Sequence, residues 1–394
     1  MTKYNSYYNY FVLSLFFVAP VLFYPVTIVL DSALQNYLVL LFFTFLLLVK
    51  DKLITNKKTI SYVALLSASF SLVMTYSIFF GLNESLLQIV TIFISYGILY
   101  PFVQVKLNSY ERFYWCLFPI CIFSFIALLS SYFITQVITE NYMQFGTSLA
   151  MFFMLVTPVF FLARGALKKS TVFLFLFVFM MLVFIFGNRG SLLFVILNVF
   201  LAISIFYSKK LAFALIILGF LIFYFIDIVA ILDFTIELVT PYSNDTTPLR
   251  KLRTILELGF TSIDDASSGR DDIYQMAAKI IKNNGLLPAG VFEFKNITGV
   301  TSPHNVILDM LIIFGFFTPF IVFLFLSKFF IKVCEVKNKY ELYFVTSLFL
   351  FVIVRLSLSS SFLFEPLFYI LLAYLFAENE SSGFKKKLTR YYKK

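Results

Sequence analysis

Residues 171–206 read TVFLFLFVFMMLVFIFGNRGSLLFVILNVFLAISIF. Two apolar runs are joined by Gly187-Asn188-Arg189-Gly190, and Arg189 is the only charge in the stretch. A helix needs about 20 apolar residues to cross the hydrocarbon core of a bilayer. Each run, taken as 171–187 and 190–208, therefore predicts one membrane crossing, with a tight hairpin between them.

The rest of the chain repeats this pattern. Hydrophobic residues make up 61% of the 394 and charged residues only 13%, and the mean hydropathy is +0.92. A soluble domain carries about 25% charged residues, so this chain cannot cover a water-facing surface and must face lipid. The expected fold is all-α: a polytopic membrane helix bundle of about 12 transmembrane helices, with one large extracytoplasmic loop. The spans fall near 10–30, 33–49, 59–80, 86–105, 113–134, 147–163, 171–187, 190–208, 211–230, 304–327, 341–358 and 360–376. The first run lacks a small-x-small cleavage site and reads as a retained helix.

Lysine and arginine set the orientation. With the N-terminus inside, most of the 31 fall on the cytoplasmic side, including Lys50, Lys52, Lys57, Lys58, Arg164, Lys168, Lys169, Lys328, Lys332 and the tail from Lys385. Both termini are then cytoplasmic. The net charge of +10 is a topology signal and does not point to nucleic acid. The organisation reads as nine spans over 1–230, a loop over 231–303, three spans over 304–376 and a basic tail over 377–394. Cys116 and Cys121 lie in an apolar run and Cys334 in a basic loop, which offers neither a disulfide framework nor a zinc site.

Residues 231–303 are the only place polar enough to fold in water, and structureless loops of such length are uncommon without a role. Inside it, Ser267-Ser268-Gly269-Arg270-Asp271-Asp272 opens a helical pattern, with Ser268 or Gly269 as cap. Ile273, Met276, Ala277, Ile280 and Ile281 recur at helical spacing, and Asn283-Asn284-Gly285 ends the pattern. This amphipathic helix lies either on the outer membrane surface or under the bundle. A turn-rich stretch follows from Gly290 to Gly299, and His304, the only histidine, stands where the chain re-enters the membrane.

Four groups are candidates for chemistry. Arg189 lies between apolar runs, where an ionisable residue costs about 2.5–3.5 kcal/mol on insertion scales. It either snorkels to the headgroups or faces a polar cavity, to which Gly187 and Gly190 would allow close approach. Arg270, at a helix start, can bind an anion with nearby amide donors or pair with Asp264, Asp265 or Asp272. Arg355, followed by Ser357, Ser359, Ser360 and Ser361, can hold an anion or pair with Glu365. His304 can move a proton or donate to phosphate, or cap the helix that follows. Asp309 and Glu293 remain as carboxylates. No P-loop or glycine-rich nucleotide fingerprint is present. Arginines gathered at one face fit a phosphate or pyrophosphate held at membrane depth.

Ser268-Gly269-Arg270 at a helix start, then Gly285, Pro288 and Gly290, then Pro303-His304-Asn305 followed by Leu308, Ile312, Phe314 and Gly315, resembles the signature of the O-antigen ligase and O-antigen polymerase (Wzy-type) superfamily. Asn188-Arg189-Gly190-Ser191 resembles that family's earlier Arg-Gly element. The motifs cover about 60 residues, and the topology agrees with that family's. The resemblance implies a metal-independent membrane glycosyltransferase without cofactors, in the bacterial cytoplasmic membrane. Its donor would be an undecaprenyl-diphosphate-linked oligosaccharide of an O-antigen or capsule pathway. It also implies membrane lipid, a chain-length regulator and a flippase as partners. Arg189, Arg270 and Arg355 would hold the diphosphate, with Arg270 and His304 as the catalytic pair and no metal ligand. Small size and a single main loop favour polymerase over ligase. A polysaccharide flippase or other transporter is the rival class, although no two-half repeat is visible; a non-enzymatic scaffold is the third.

Overall fold

A computed structural model of the protein describes residues 3–22, 57–78, 85–104, 107, 109–135, 138–225, 233, 236–237, 270–300, 302–358 and 361–377. The expected second span, 33–49, and the loop before Arg270 lie outside them, save for isolated positions. Among the described residues the chain is helical, with no strand. In chain order the helices are α1 (Lys3–Leu22), α2 (Lys57–Ile78), α3 (Ser85–Ile92), α4 (Tyr100–Gln104), α5 (Tyr110–Thr135), α6 (Ile138–Leu162), α7 (Ala166–Phe186), α8 (Arg189–Phe206) and α9 (Lys209–Phe225). They continue with α10 (Arg270–Asn283), α11 (Glu293–Thr298), α12 (Val306–Phe314), α13 (Thr318–Glu335), α14 (Lys339–Leu358) and α15 (Pro366–Phe376).

Among the described residues, five stretches are long and apolar enough to cross a membrane: Tyr110–Ser131, Gln144–Leu162, Ala166–Phe186, Val306–Glu335 and Lys339–Leu358. Shorter apolar helices, among them Thr59–Thr75, Gln88–Gln104 and Gly190–Phe206, accompany them. Large apolar side chains such as Leu72, Phe123 and Phe173 point outward, as a lipid-facing surface requires. These features are those of a helical membrane protein.

Several boundaries differ from the hydropathy reading. The first helix begins at Lys3, not residue 10. The fourth span is interrupted by a π-helical turn, Phe93–Leu99, between α3 and α4. The span expected at 304–327 is two helices, broken by a 3-10 turn at Gly315–Phe317 and reaching Glu335. Lys328 and Lys332 are thus helical, and Lys332 Nζ lies 5.5 Å from the Tyr374 ring, where its stem stays on apolar surface. The last span starts at Pro366, after a 3-10 turn at Phe362–Phe364. The turn-rich stretch 290–299 contains the short helix α11.

The chain forms two compact units. The first is Met1–Ile120, Ile273–Val336 and Leu356–Lys394; the second is Cys121–Asp272 and Lys337–Arg355. In the first, α15 packs on the π-turn and α4, and α1 on α4. Phe16 sets its ring edge-on to Tyr96 and Tyr100, with centroids 5.5 and 5.3 Å apart, a favoured aromatic geometry.

In the second unit α6 packs along α7 and α8, and α8 along α9. A buried polar node joins three helices. Asn198 Nδ2 on α8 donates to Tyr343 Oη on α14 at 2.8 Å. The Tyr343 hydroxyl donates in turn to the Met154 carbonyl on α6 at 3.1 Å. Removing one member strands the others in a dry interior. Tyr343→Phe is expected to lower stability by about 1 kcal/mol. The double variant Tyr343→Phe with Asn198→Leu should melt closer to wild type than Tyr343→Phe alone, because it removes donor and acceptor together. Melting curves of the detergent-solubilised protein check this; a double variant that falls by the sum of the singles refutes the node.

Candidate functional site

The second unit carries the candidate arginines Arg189, Arg270 and Arg355. Asn188 caps α8, its side chain accepting from the Ser191 amide at 2.7 Å, so Arg189 stands first in the helix. The expected hairpin at 187–190 is present. It is held by close backbone approach: a Cβ on Gly146 of α6 would lie 2.5 Å from Gly187 Cα and 3.0 Å from Asn188 N. A Cβ on Gly187 would collide with the Val183 carbonyl. No side chain fits in either place.

Arg355 is half-buried in the last turn of α14. Two contacts fix how α14 runs against α8. Phe194 and Phe351 meet edge to face with centroids 4.9 Å apart, and Asn198 meets Tyr343. From Asn198 back to Phe194 the chain runs toward Arg189, and from Tyr343 on to Phe351 it runs toward Arg355. Arg189 is about 7.5 Å of helix beyond Phe194, and Arg355 about 6 Å beyond Phe351. The start of α8 and the end of α14 therefore share one end of the unit. Arg270 opens α10, as its sequence context predicts; the expected caps Ser268 and Gly269 lie outside the described residues.

The first unit carries His304. Helix α10 ends with Gly285 at φ 59° and Leu286 at φ 63°. The Leu286 amide reaches the Ile281 carbonyl at 3.2 Å, and the Gly285 amide the Lys282 carbonyl at 3.1 Å, the paired bonds of a Schellman ending. Ala277 and Ile280 bury against Ala289, Phe294 and Ile312, with Ile273 and Ile281 flanking. Through Ile312 this amphipathic helix packs on α12. Met276 departs from the expected face and is exposed. The turn after α10 then closes the open end of α12. The Ala289 amide donates to the Ile312 carbonyl at 2.8 Å, and the Phe316 amide to the Leu286 carbonyl at 2.8 Å.

At the other end of α12 the cap is Asn305, not His304. The Asn305 side chain accepts from the Ile307 and Leu308 amides at 3.0 and 3.3 Å. His304 sits outside the helix at φ 52°, half-buried, with its amide 3.4 Å from Ser302 Oγ. A left-handed backbone at a non-glycine residue marks a constrained corner. Glu365 caps α15 by accepting from the Leu367 amide at 3.4 Å.

The residue that sequence reasoning underused is Asp309. It is buried one turn into α12 and accepts a 2.5 Å hydrogen bond from Ser361 Oγ. Ser361 was visible only as the last of a serine run after Arg355. Its partner lies 52 positions away, and no local pattern points there.

No family model, no characterised protein and no solved structure matches this chain.

Proposed function

We propose that the protein is a polysaccharide polymerase, joining undecaprenyl-diphosphate-linked repeat units at the outer face of the bacterial cytoplasmic membrane. On this reading the chain crosses about 12 times, both termini are cytoplasmic, and 231–303 is the extracytoplasmic loop. The observation that carries it is the shared placement of Arg189 and Arg355 at one end of the second unit, with the short helix bearing Arg270 expected on the same side of the bilayer. Cationic side chains there suit a diphosphate whose lipid tail stays in the outer leaflet.

The chemistry follows from the groups. The acceptor hydroxyl oxygen attacks the anomeric carbon of the donor sugar. The bond from that carbon to the diphosphate oxygen breaks, and the diphosphate leaves with the electron pair. Arg189, Arg270 and Arg355 stabilise its growing charge. His304 takes the hydroxyl proton, a role an imidazole within hydrogen-bond reach can fill.

A second reading, a transporter of the flippase class, draws on the interrupted helix at 315–317, because discontinuous helices form substrate sites in many carriers. One experiment separates the readings. Surface polysaccharide is run on a gel from a deletion strain complemented with wild type, Arg270→Ala or His304→Ala at equal expression. The polymerase reading expects single repeat units in the deletion strain and a ladder restored by wild type alone. Long lipid-linked chains that are never transferred indicate a ligase; repeat units trapped inside the cell indicate a flippase. Full ladders from both variants refute the site.

A further inference from the structure

We propose that Asp309, held by Ser361, is a positioning residue for His304, fixing the rotation of α12 and with it the place of the imidazole; this rests on the polymerase reading. Helix α12 is nine residues long and joined to α13 through a 3-10 turn, so helix continuity does not set its rotation. Polar contacts do. At its C-terminal end Thr318 Oγ1 donates across the break to the Met310 carbonyl at 2.8 Å. At its N-terminal end the Asp309 amide donates to the Asn305 carbonyl at 2.9 Å, one residue from His304. The Asp309 carboxylate then reaches across to the 361–364 turn, receiving the Ser361 hydroxyl at 2.5 Å.

Packing alone does not account for a carboxylate at this place. Asp309 and Ser361 are each 5% exposed, and Asp309 lies inside a stretch apolar enough to span a membrane. A leucine would fill such a site without the desolvation penalty of an acid. A carboxylate adds direction: the short charge-assisted bond from Ser361 ties it to one place on the 361–364 turn. The His304–Asn305 corner, one helical turn back, is thereby fixed in azimuth as well as in depth. Ser361 is pinned in turn, accepting from the Leu363 amide at 3.4 Å, so the clamp has little play.

The test uses the full-length protein in nanodiscs and repeat-unit lipid extracted from the deletion strain. Polymer formation is followed at saturating and at limiting lipid for wild type, Asp309→Asn, Ser361→Ala, Ser361→Thr and the double variant Asp309→Asn/Ser361→Ala. Melting curves are taken in parallel. The expected result is a fall in the saturating rate of about 10–100-fold for Asp309→Asn and Ser361→Ala. The half-saturating lipid concentration should stay within about twofold of wild type, since the diphosphate arginines are untouched. The double variant should be no slower than the slower single, and Ser361→Thr, which keeps the hydroxyl, should retain the wild-type rate. Rates within twofold of wild type for both singles, effects that multiply in the double, or a loss that tracks the melting temperature across all variants each overturn the proposal. If the wild type itself makes no polymer from this lipid, the polymerase reading fails and takes this inference with it, which is a distinct result.

Discussion

Gly315→Ala is expected to lower stability by about 3 kcal/mol or more and to sharply reduce the folded protein recovered from membranes. Gly315 has φ 56° and ψ −134°, a combination that costs a residue with a side chain about 1–3 kcal/mol. Space compounds the strain. A Cβ there would collide with the Leu286 carbonyl and stand 2.7 Å from Pro288 N and 2.8 Å from Leu287 C. All three are backbone atoms, which cannot swing aside as a side chain end would. Relief requires the 286–288 turn to lift off α12. That would break the bonds from the Ala289 amide to Ile312 and from the Phe316 amide to Leu286, leaving helix-end carbonyls and amides without partners in a water-poor setting. Thermal unfolding in detergent, followed by size-exclusion chromatography of the soluble fraction, measures the loss. An unchanged melting temperature would show that the loop does not dock on α12 as described. Gly285→Ala offers a scale: its φ is also left-handed at 59°, yet its Cβ would meet nothing within 4 Å. It should suffer the strain without the collision and lose less.

The same glycine shows what hydropathy can and cannot read. The apolar run continues through Gly315 without a polar residue, so composition predicts one span where the backbone makes two helices. Hydropathy reports what a segment is dissolved in, and a break sealed by another part of the chain leaves it unchanged. The hairpin at Gly187-Asn188 was legible because both sides break: glycine and asparagine interrupt the run, and Asn188 is a strong helix cap. The start of α10 at Arg270 was legible for similar reasons of spacing and charge. Helix α11 was hidden because Gly290 and Gly299 bracket it as turn punctuation. The end of α13 was misplaced because Lys328 and Lys332 read as a loop, whereas long lysine stems lie along a helix and carry their charge outward. His304 was a fair candidate from its uniqueness. That Asn305 and not His304 caps α12, and that Asp309 meets Ser361, depends on a fold that brings residues far apart in sequence together.

On the polymerase reading, Gly146→Val is expected to reduce polymer formation by about 10–100-fold while the protein still accumulates in the membrane. Gly146 touches no proposed substrate atom; its effect runs through Arg189. The Gly146 Cα faces the Gly187–Asn188 backbone so closely that a Cβ would stand 2.5 Å from Gly187 Cα. The turn cannot retreat by itself, because the Gly187 amide is bonded to the Val183 carbonyl at 2.8 Å and Asn188 caps the Ser191 amide. A branched side chain at 146 must therefore separate α6 from the start of α8, displacing the residue that opens that helix. A shift of about 1 Å is enough to misplace a charge relative to a diphosphate. Arg355, on α14, is held to α8 deeper in the unit by the Phe194–Phe351 and Asn198–Tyr343 contacts, so the two arginines should come apart rather than move together. Ser148→Ala is the matched control on the same helix, since the Ser148 hydroxyl donates to the carbonyl one turn back, at 2.8 Å from Gln144 O. It should polymerise like wild type. In nanodiscs the half-saturating lipid concentration should rise for Gly146→Val, in contrast to the Asp309 variants, whose saturating rate falls. A rate loss for Gly146→Val without any change in half-saturation would place Arg189 outside the donor site.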